Sequence, residues 1–226
     1  MNLQAIIFDM DGVIVDTEFV DYHIQTDFVR TENASRGVSN DDLDTTGLMG
    51  LSYDALYSKL NELTGSACSI EETKARFSAF DAEQRKDLDY AELFRPATRD
   101  ILNWARGYDI KLAVASSSTR SHIVEVLLAC GIFGYFDVIE SGEHLRESKP
   151  NPEIYLNTLA ELGVGADHVI AIEDSEHGIA AAKAAGIYCI GYRETRVPID
   201  QSAADELVDG MEGALDIIKR EARRRN

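Results

Sequence analysis

Two aspartates one residue apart, Asp9 and Asp11, follow directly on the apolar run Ala5-Ile6-Ile7-Phe8, and the chain turns at Gly12. Four apolar residues without polar alternation read as a parallel-sheet strand covered on both faces, and ligands of such sheets bind beyond the strands' carboxyl ends. Carboxylates there are expensive to desolvate unless a cation or a proton compensates them. The same spacing recurs at Asp42 and Asp44 and at Asp87 and Asp89. Neither of those pairs follows a buried run, and both read as solvated acids.

Three later segments repeat the design of an apolar run ending in polar groups. Leu112-Ala113-Val114-Ala115 runs into Ser116, Ser117 and Ser118, where a hydroxyl and the amides at a strand-to-helix turn can hold a phosphate oxygen. Lys149 sits in Ser148-Lys149-Pro150-Asn151-Pro152, a stiff turn that presents one cation as a phosphate or carboxylate partner. Val169-Ile170-Ala171-Ile172 ends in Glu173 and Asp174. Two acid-tipped strands side by side would gather four carboxylates and call for a hard divalent cation. Mg²⁺ fits, because it takes oxygen ligands and keeps positions open for water and phosphate.

The elements that must position these groups alternate. After the strand at Leu112 comes a helix with Ile123, Val126, Leu127 and Cys130 on one face, then a short strand at Val138-Ile139. Asn151-Pro152 gives a helix cap with proline in the first turn, and Tyr155, Leu159 and Leu162 form that helix's buried face. A small-residue helix around residues 178–185 and a strand at residues 188–191 complete the alternation. Strands alternating with helices predict an α/β fold, a Rossmann-like parallel sheet with right-handed crossovers. Residues 17–92 instead read as helices only, with Leu56, Leu60 and Leu63 on one face and one or two amphipathic helices over residues 70–88. They form a helical block inserted after the first strand, a lid on a catalytic core of residues 1–16 and 93–226. Hinges are expected at residues 15–20 and 90–96.

A chain of 226 residues, 45% hydrophobic, can bury one substantial core and a smaller one. The formal charge of -18 argues against a nucleic-acid partner, which needs a basic surface. The basic run over residues 219–225 reads as a solvated helix end favoured by the helix dipole. Three scattered cysteines without metal-ligand spacing suggest reduced thiols. With no leader-like segment and no run of membrane-spanning length, a soluble, cytoplasmic, monomeric protein without a membrane partner is expected.

Taken together, Asp9-Met10-Asp11-Gly12-Val13 with Asp16-Thr17, then Ala115-Ser116-Ser117-Ser118, then Ser148-Lys149-Pro150-Asn151-Pro152, then Glu173-Asp174-Ser175 with Gly178 resemble, in order, the four motifs of the haloacid dehalogenase superfamily, in its β-phosphoglucomutase-like branch. The resemblance covers nearly the whole chain. It implies that Asp9 is a nucleophile forming an aspartyl-phosphate and that Asp11 is the general acid and base. It further implies Mg²⁺ on the Asp9 carboxylate, the Asp11 main-chain carbonyl and Asp174, with Glu173 as a ligand or as the group that orients one. Ser116, Ser117 and Lys149 would bind the phosphoryl group, and residues 17–90 would be a helical cap closing over the site.

The expected activity is hydrolysis of a small phosphorylated metabolite, a sugar phosphate; a β-phosphoglucomutase is the alternative. Asp11 argues against dehalogenation, since dehalogenase members lack a second acid two residues on. Hydrolysis is preferred over the mutase because Tyr53, in Gly50-Leu51-Ser52-Tyr53, stands where the mutase carries an arginine that grips a distal phosphate. His23 and Arg76 are the other cap residues with a conceivable substrate role, although a surface or packing role suits both.

Overall fold

The computed structural model describes residues 2–48, 51, 53–196 and 199–223, with the side chains of residues 53 and 54 excepted. The chain divides into two compact units, Met1–Asp16 with Tyr90–Asn226, and Thr17–Asp89.

The first unit is an α/β fold built on a six-stranded, wholly parallel sheet. Its strands are β1 (Ala5–Phe8), β2 (Lys111–Ser116), β3 (Val138–Ser141), β4 (Val169–Glu173), β5 (Tyr188–Tyr192) and β6 (Glu206–Val208), in the order β3-β2-β1-β4-β5-β6. All four residues of β1 and all five of β4 are buried, as their unbroken apolar runs require. Strand order reverses direction at β1, so the crevice beyond the ends of β1 and β4 is the topological switch point where open α/β sheets take ligands.

The second unit is helical: α1 (Glu18–Ser35), α2 (Tyr53–Thr64) and α3 (Ile70–Gln84). It has its own apolar cluster of Ile24, Phe28, Val29, Leu48, Leu56, Tyr57, Leu60 and Phe77. Phe28 stacks edge-on against Phe77 and Phe80 at centroid separations of 5.3 and 5.6 Å. Helix α3 starts at a capping box, in which Ser69 accepts from the Glu72 amide and Glu72 accepts from that of Ser69. It is one helix, and it stops short of the expected residue 88.

The remaining helices return to the sheet: α4 (Tyr90–Leu93), α5 (Thr98–Gly107), α6 (Arg120–Ala129), α7 (Glu153–Leu162), α8 (Glu176–Ala184) and α9 (Met211–Arg223). Helices α7 and α8 cover one face, with Tyr155, Leu159 and Ile179 packed on Ile7, Ala113, Ala171 and Cys189. Alternation along the strands sends Ile6, Phe8, Leu112 and Ile172 to the opposite face. There α5 and α9 pack on each other and on β2 and β5. The cap of α7 differs in detail from the expected one: Pro152 itself is the capping residue, and Asn151 Oδ1 accepts from the Glu153 amide at 2.9 Å. Proline has no amide to satisfy, so it serves just before the first turn as well as within it.

Candidate active site

Strand pairing sets Phe8 opposite Ile172, and the next residues on both strands are acids, Asp9 and Glu173. The Asp9 amide donates to the Ile172 carbonyl at 3.0 Å, so the ladder holds through the first catalytic candidate. Asp9, Glu173 and Asp174 are all buried, and each offers a carboxylate oxygen within 4.8 Å of the others.

Lys149 enters this cluster from the turn before α7, where the Lys149-Pro150 bond is cis. Its Nζ donates to Asp9 Oδ1 at 2.6 Å, to Glu173 Oε1 at 2.7 Å and to the Ala115 carbonyl at 3.0 Å. Three acceptors match its three donors. Burial works against the ammonium, but Asp9 and Glu173 together outweigh it and hold Lys149 firmly protonated. Asp9 is pushed well above the usual carboxylate range, first by burial, with Lys149 opposing and Glu173 and Asp11 adding to the rise. One ammonium thus pairs with two of the three buried acids, Asp9 and Glu173.

That charge balance, together with the orphaned oxygen Glu173 Oε2, which has no hydrogen-bond partner, tests whether a divalent cation suits the site. It does: the donors are all hard oxygens, and one dication would balance the acids. Asp9, Asp174 and Glu173 are the residues that would hold it.

The backbone keeps these groups close. Gly12 has φ +76°, and a Cβ there would lie 1.8 Å from Asp174 Oδ2, so only glycine lets the loop after β1 pass the acid. A Cβ at Gly178 would likewise lie 2.0 Å from Glu173 Oε2. The loop is anchored from beneath by Met10, Val13, Ile14 and Val15, none of which is exposed. Asp11 is half-buried, and its Oδ2 accepts from Ser118 Oγ at 3.1 Å.

Ser116 ends β2 and is buried; its Oγ accepts from the Ser118 amide at 3.1 Å, closing the turn. Ser117 is half-buried on the same turn, close against Gly142. The structure thus gathers Asp9, Lys149, Glu173 and Asp174 directly, with Ser118 linking Asp11 to the serine turn. Within the helical unit, Arg76 pairs with Glu32 at 2.5 Å, and His23 is exposed and stacks on Phe19. Gly50, Ser52 and the Tyr53 side chain lie outside the described residues.

Three contributors lack any sequence signal. Tyr155 donates to Glu173 Oε1 at 2.5 Å from what reads as an ordinary core position on α7, and burial followed by Glu173 keeps its phenol protonated. Gln201 Nε2 donates to the main-chain carbonyls of Asp174 and Tyr192, fixing the loops after β4 and β5. Arg95 reaches the carbonyl of Gly12.

The haloacid dehalogenase-like hydrolase family matches residues 6–192. The chain is 33% identical over 187 residues to a phosphorylated carbohydrates phosphatase of Thermotoga maritima, covering 82% of each chain. It is 30% identical to hexitol phosphatase B of Escherichia coli, with 81% of each chain covered. Among solved structures it is similar to a CbbY variant from Rhodobacter sphaeroides in complex with xylulose-(1,5)bisphosphate, at 25% identity and a TM-score of 0.72, covering 92% of this chain and 95% of that one. Among the described residues no helix is long and apolar enough to cross a membrane.

Proposed function

The chain belongs to the haloacid dehalogenase-like hydrolase family, and from that premise we propose that it is a Mg²⁺-dependent phosphatase that releases phosphate from a small phosphorylated carbohydrate through an aspartyl-phosphate on Asp9. The observation that carries the reading is the buried group of Asp9, Lys149, Glu173 and Asp174 at the switch point of the sheet. The names of the phosphatases to which the chain is similar support a sugar phosphate as substrate.

Lys149 holds Asp9 in place through Oδ1, and a carboxylate oxygen of Asp9 attacks phosphorus. As the Asp9 O–P bond forms, the bond from phosphorus to the sugar oxygen breaks, and Asp11 gives that oxygen its proton. Asp11 then takes a proton from water, whose oxygen attacks phosphorus and frees Asp9 and inorganic phosphate. Lys149 and the Ser116 turn hold the phosphoryl oxygens, where preorganised charge gives most of its benefit. Mg²⁺, held by Asp9 and Asp174 with Glu173 beside them, would supply charge neutralisation to the acids and to the phosphoryl group. The helical unit would exclude water during the first step and carry substrate choice.

Phosphate release tests this on a panel of hexose, pentose and hexitol phosphates and short phosphorylated acids, with Mg²⁺ or with chelator. The panel includes β-glucose 1-phosphate with glucose 1,6-bisphosphate. Mg²⁺-dependent release from a sugar or hexitol phosphate is expected. Release from no ester, or glucose 6-phosphate formed faster than phosphate, would overturn it.

A further inference from the structure

Arg95 lies between α4 and α5, far in sequence from every motif, yet its guanidinium joins three parts of the α/β unit. Nε donates to the Gly12 carbonyl at 3.2 Å. Nη1 donates to Tyr192 Oη at 2.8 Å, at the end of β5, and the guanidinium lies 4.2 Å from the centre of that ring. Nη2 pairs with Asp16 Oδ1 at 3.1 Å, an oxygen that Arg196 also contacts at 2.8 Å.

The main chain is bound to the same loop. The Arg95 amide donates to the Ile14 carbonyl at 3.0 Å, and the Asp16 amide donates to the Leu93 carbonyl at 2.9 Å. The Arg95 side chain is only 18% exposed, and a planar fork of five donors can span three acceptors where an ammonium cannot.

Gly12 follows Asp11 directly, so its carbonyl is the nearest point, after Asp11's own peptide, from which the loop can be rotated. Asp174 blocks movement on one side of Gly12. The carbonyl of Gly12 is held by Arg95. We propose that Arg95 is a positioning residue for the proposed reaction: by fixing the Gly12 carbonyl against Tyr192, it sets the direction in which the Asp11 carboxyl meets the leaving oxygen. The proposal rests on the reading of Asp11 as the acid and base.

Proton delivery to a leaving group matters only when that group is basic, and this separates positioning from general structural support. kcat/KM covers the steps through cleavage of the phosphorus–oxygen bond. For Arg95→Met, kcat/KM should fall about a hundredfold with a sugar phosphate, whose alkoxide needs the proton, and less than about threefold with p-nitrophenyl phosphate, whose phenolate does not. Tyr192→Phe removes only the hydroxyl that holds Nη1 and should show the same selective loss on a smaller scale, which decides the matter should Arg95→Met not fold. Arg95→Lys should not restore the sugar-phosphate rate, since one ammonium cannot reach all three acceptors. Equal losses on both esters in these variants, or no loss, would overturn the positioning role while leaving the phosphatase reading intact. A wild-type enzyme that cleaves neither ester would overturn that reading and this role with it.

Discussion

In the α/β unit Asp9, Lys149, Glu173 and Asp174 are buried, and the site is held together from within: Lys149 between Asp9 and Glu173, Tyr155 on Glu173, Gln201 on the backbone of Asp174. In the helical unit the charged side chains lie mostly in water. Arg76 pairs with Glu32 while 47% exposed, Arg30 with Asp27 while 58% exposed, and Lys86 pairs with Glu83 on the surface. The better-sheltered Arg85 joins Asp21 and Asp81 and is correspondingly held protonated by them against the cost of its burial. Low dielectric makes every interaction in the first group large and every unpaired charge there costly, whereas solvent screens the second. A unit built in the first way keeps one geometry, as phosphoryl transfer demands. One whose stability resides in an apolar cluster can change its surface residues at little cost to folding.

Asp9→Asn should lower turnover at least about a thousandfold while leaving the fold intact, because the amide keeps the shape and loses the attacking charge; phosphate release and circular dichroism check both halves. Lys149→Ala should cost stability as well as activity, about 3–5 kcal/mol by denaturant unfolding in the absence of Mg²⁺, since it strands two buried carboxylates. Stability equal to wild type would mean that the contacts of Lys149 with Asp9 and Glu173 add nothing to folding.

Gly12→Ala should cost about 1–3 kcal/mol, from a side chain at φ +76° and from contact with Asp174. It should also diminish the rise in melting temperature on adding Mg²⁺, because Asp174 must move. At the far end, Arg76→Ala should change stability by less than about 1 kcal/mol and leave hydrolysis of p-nitrophenyl phosphate at the wild-type rate. A large loss on that small ester would break the contrast by giving the helical unit a part in the chemistry.

The same difference governs what could be read from the sequence. β1, β2 and β4 announce themselves because a strand buried on both faces must be continuously apolar, and the polar residue that ends each run stands out. Arg95, Tyr155 and Gln201 have no such frame. Each is a single polar residue in a helix or loop, and what makes it part of the site is a partner 18 to 83 positions away. β6 is three residues long at the sheet edge and only partly buried, too short to show a pattern. α9 carries Met211, Ala214, Ile217 and Ile218 at helical spacing, a signal overshadowed by the basic run that follows it. Of that run, Arg220 is tied to Glu206 and Glu221 rather than simply solvated, and residues 224 and 225 lie outside the described residues.

In the proposed reaction Asp9 carries the phosphoryl group between cleavage of the ester and attack by water. Acid quenching of the wild-type enzyme during turnover of a sugar phosphate with Mg²⁺, followed by peptide mass mapping, reads this directly. A phosphoryl group on Asp9, absent without Mg²⁺ and absent in Asp9→Asn, is the result expected. Steady phosphate release with no phosphorylated peptide, or with the group on another residue, would contradict it.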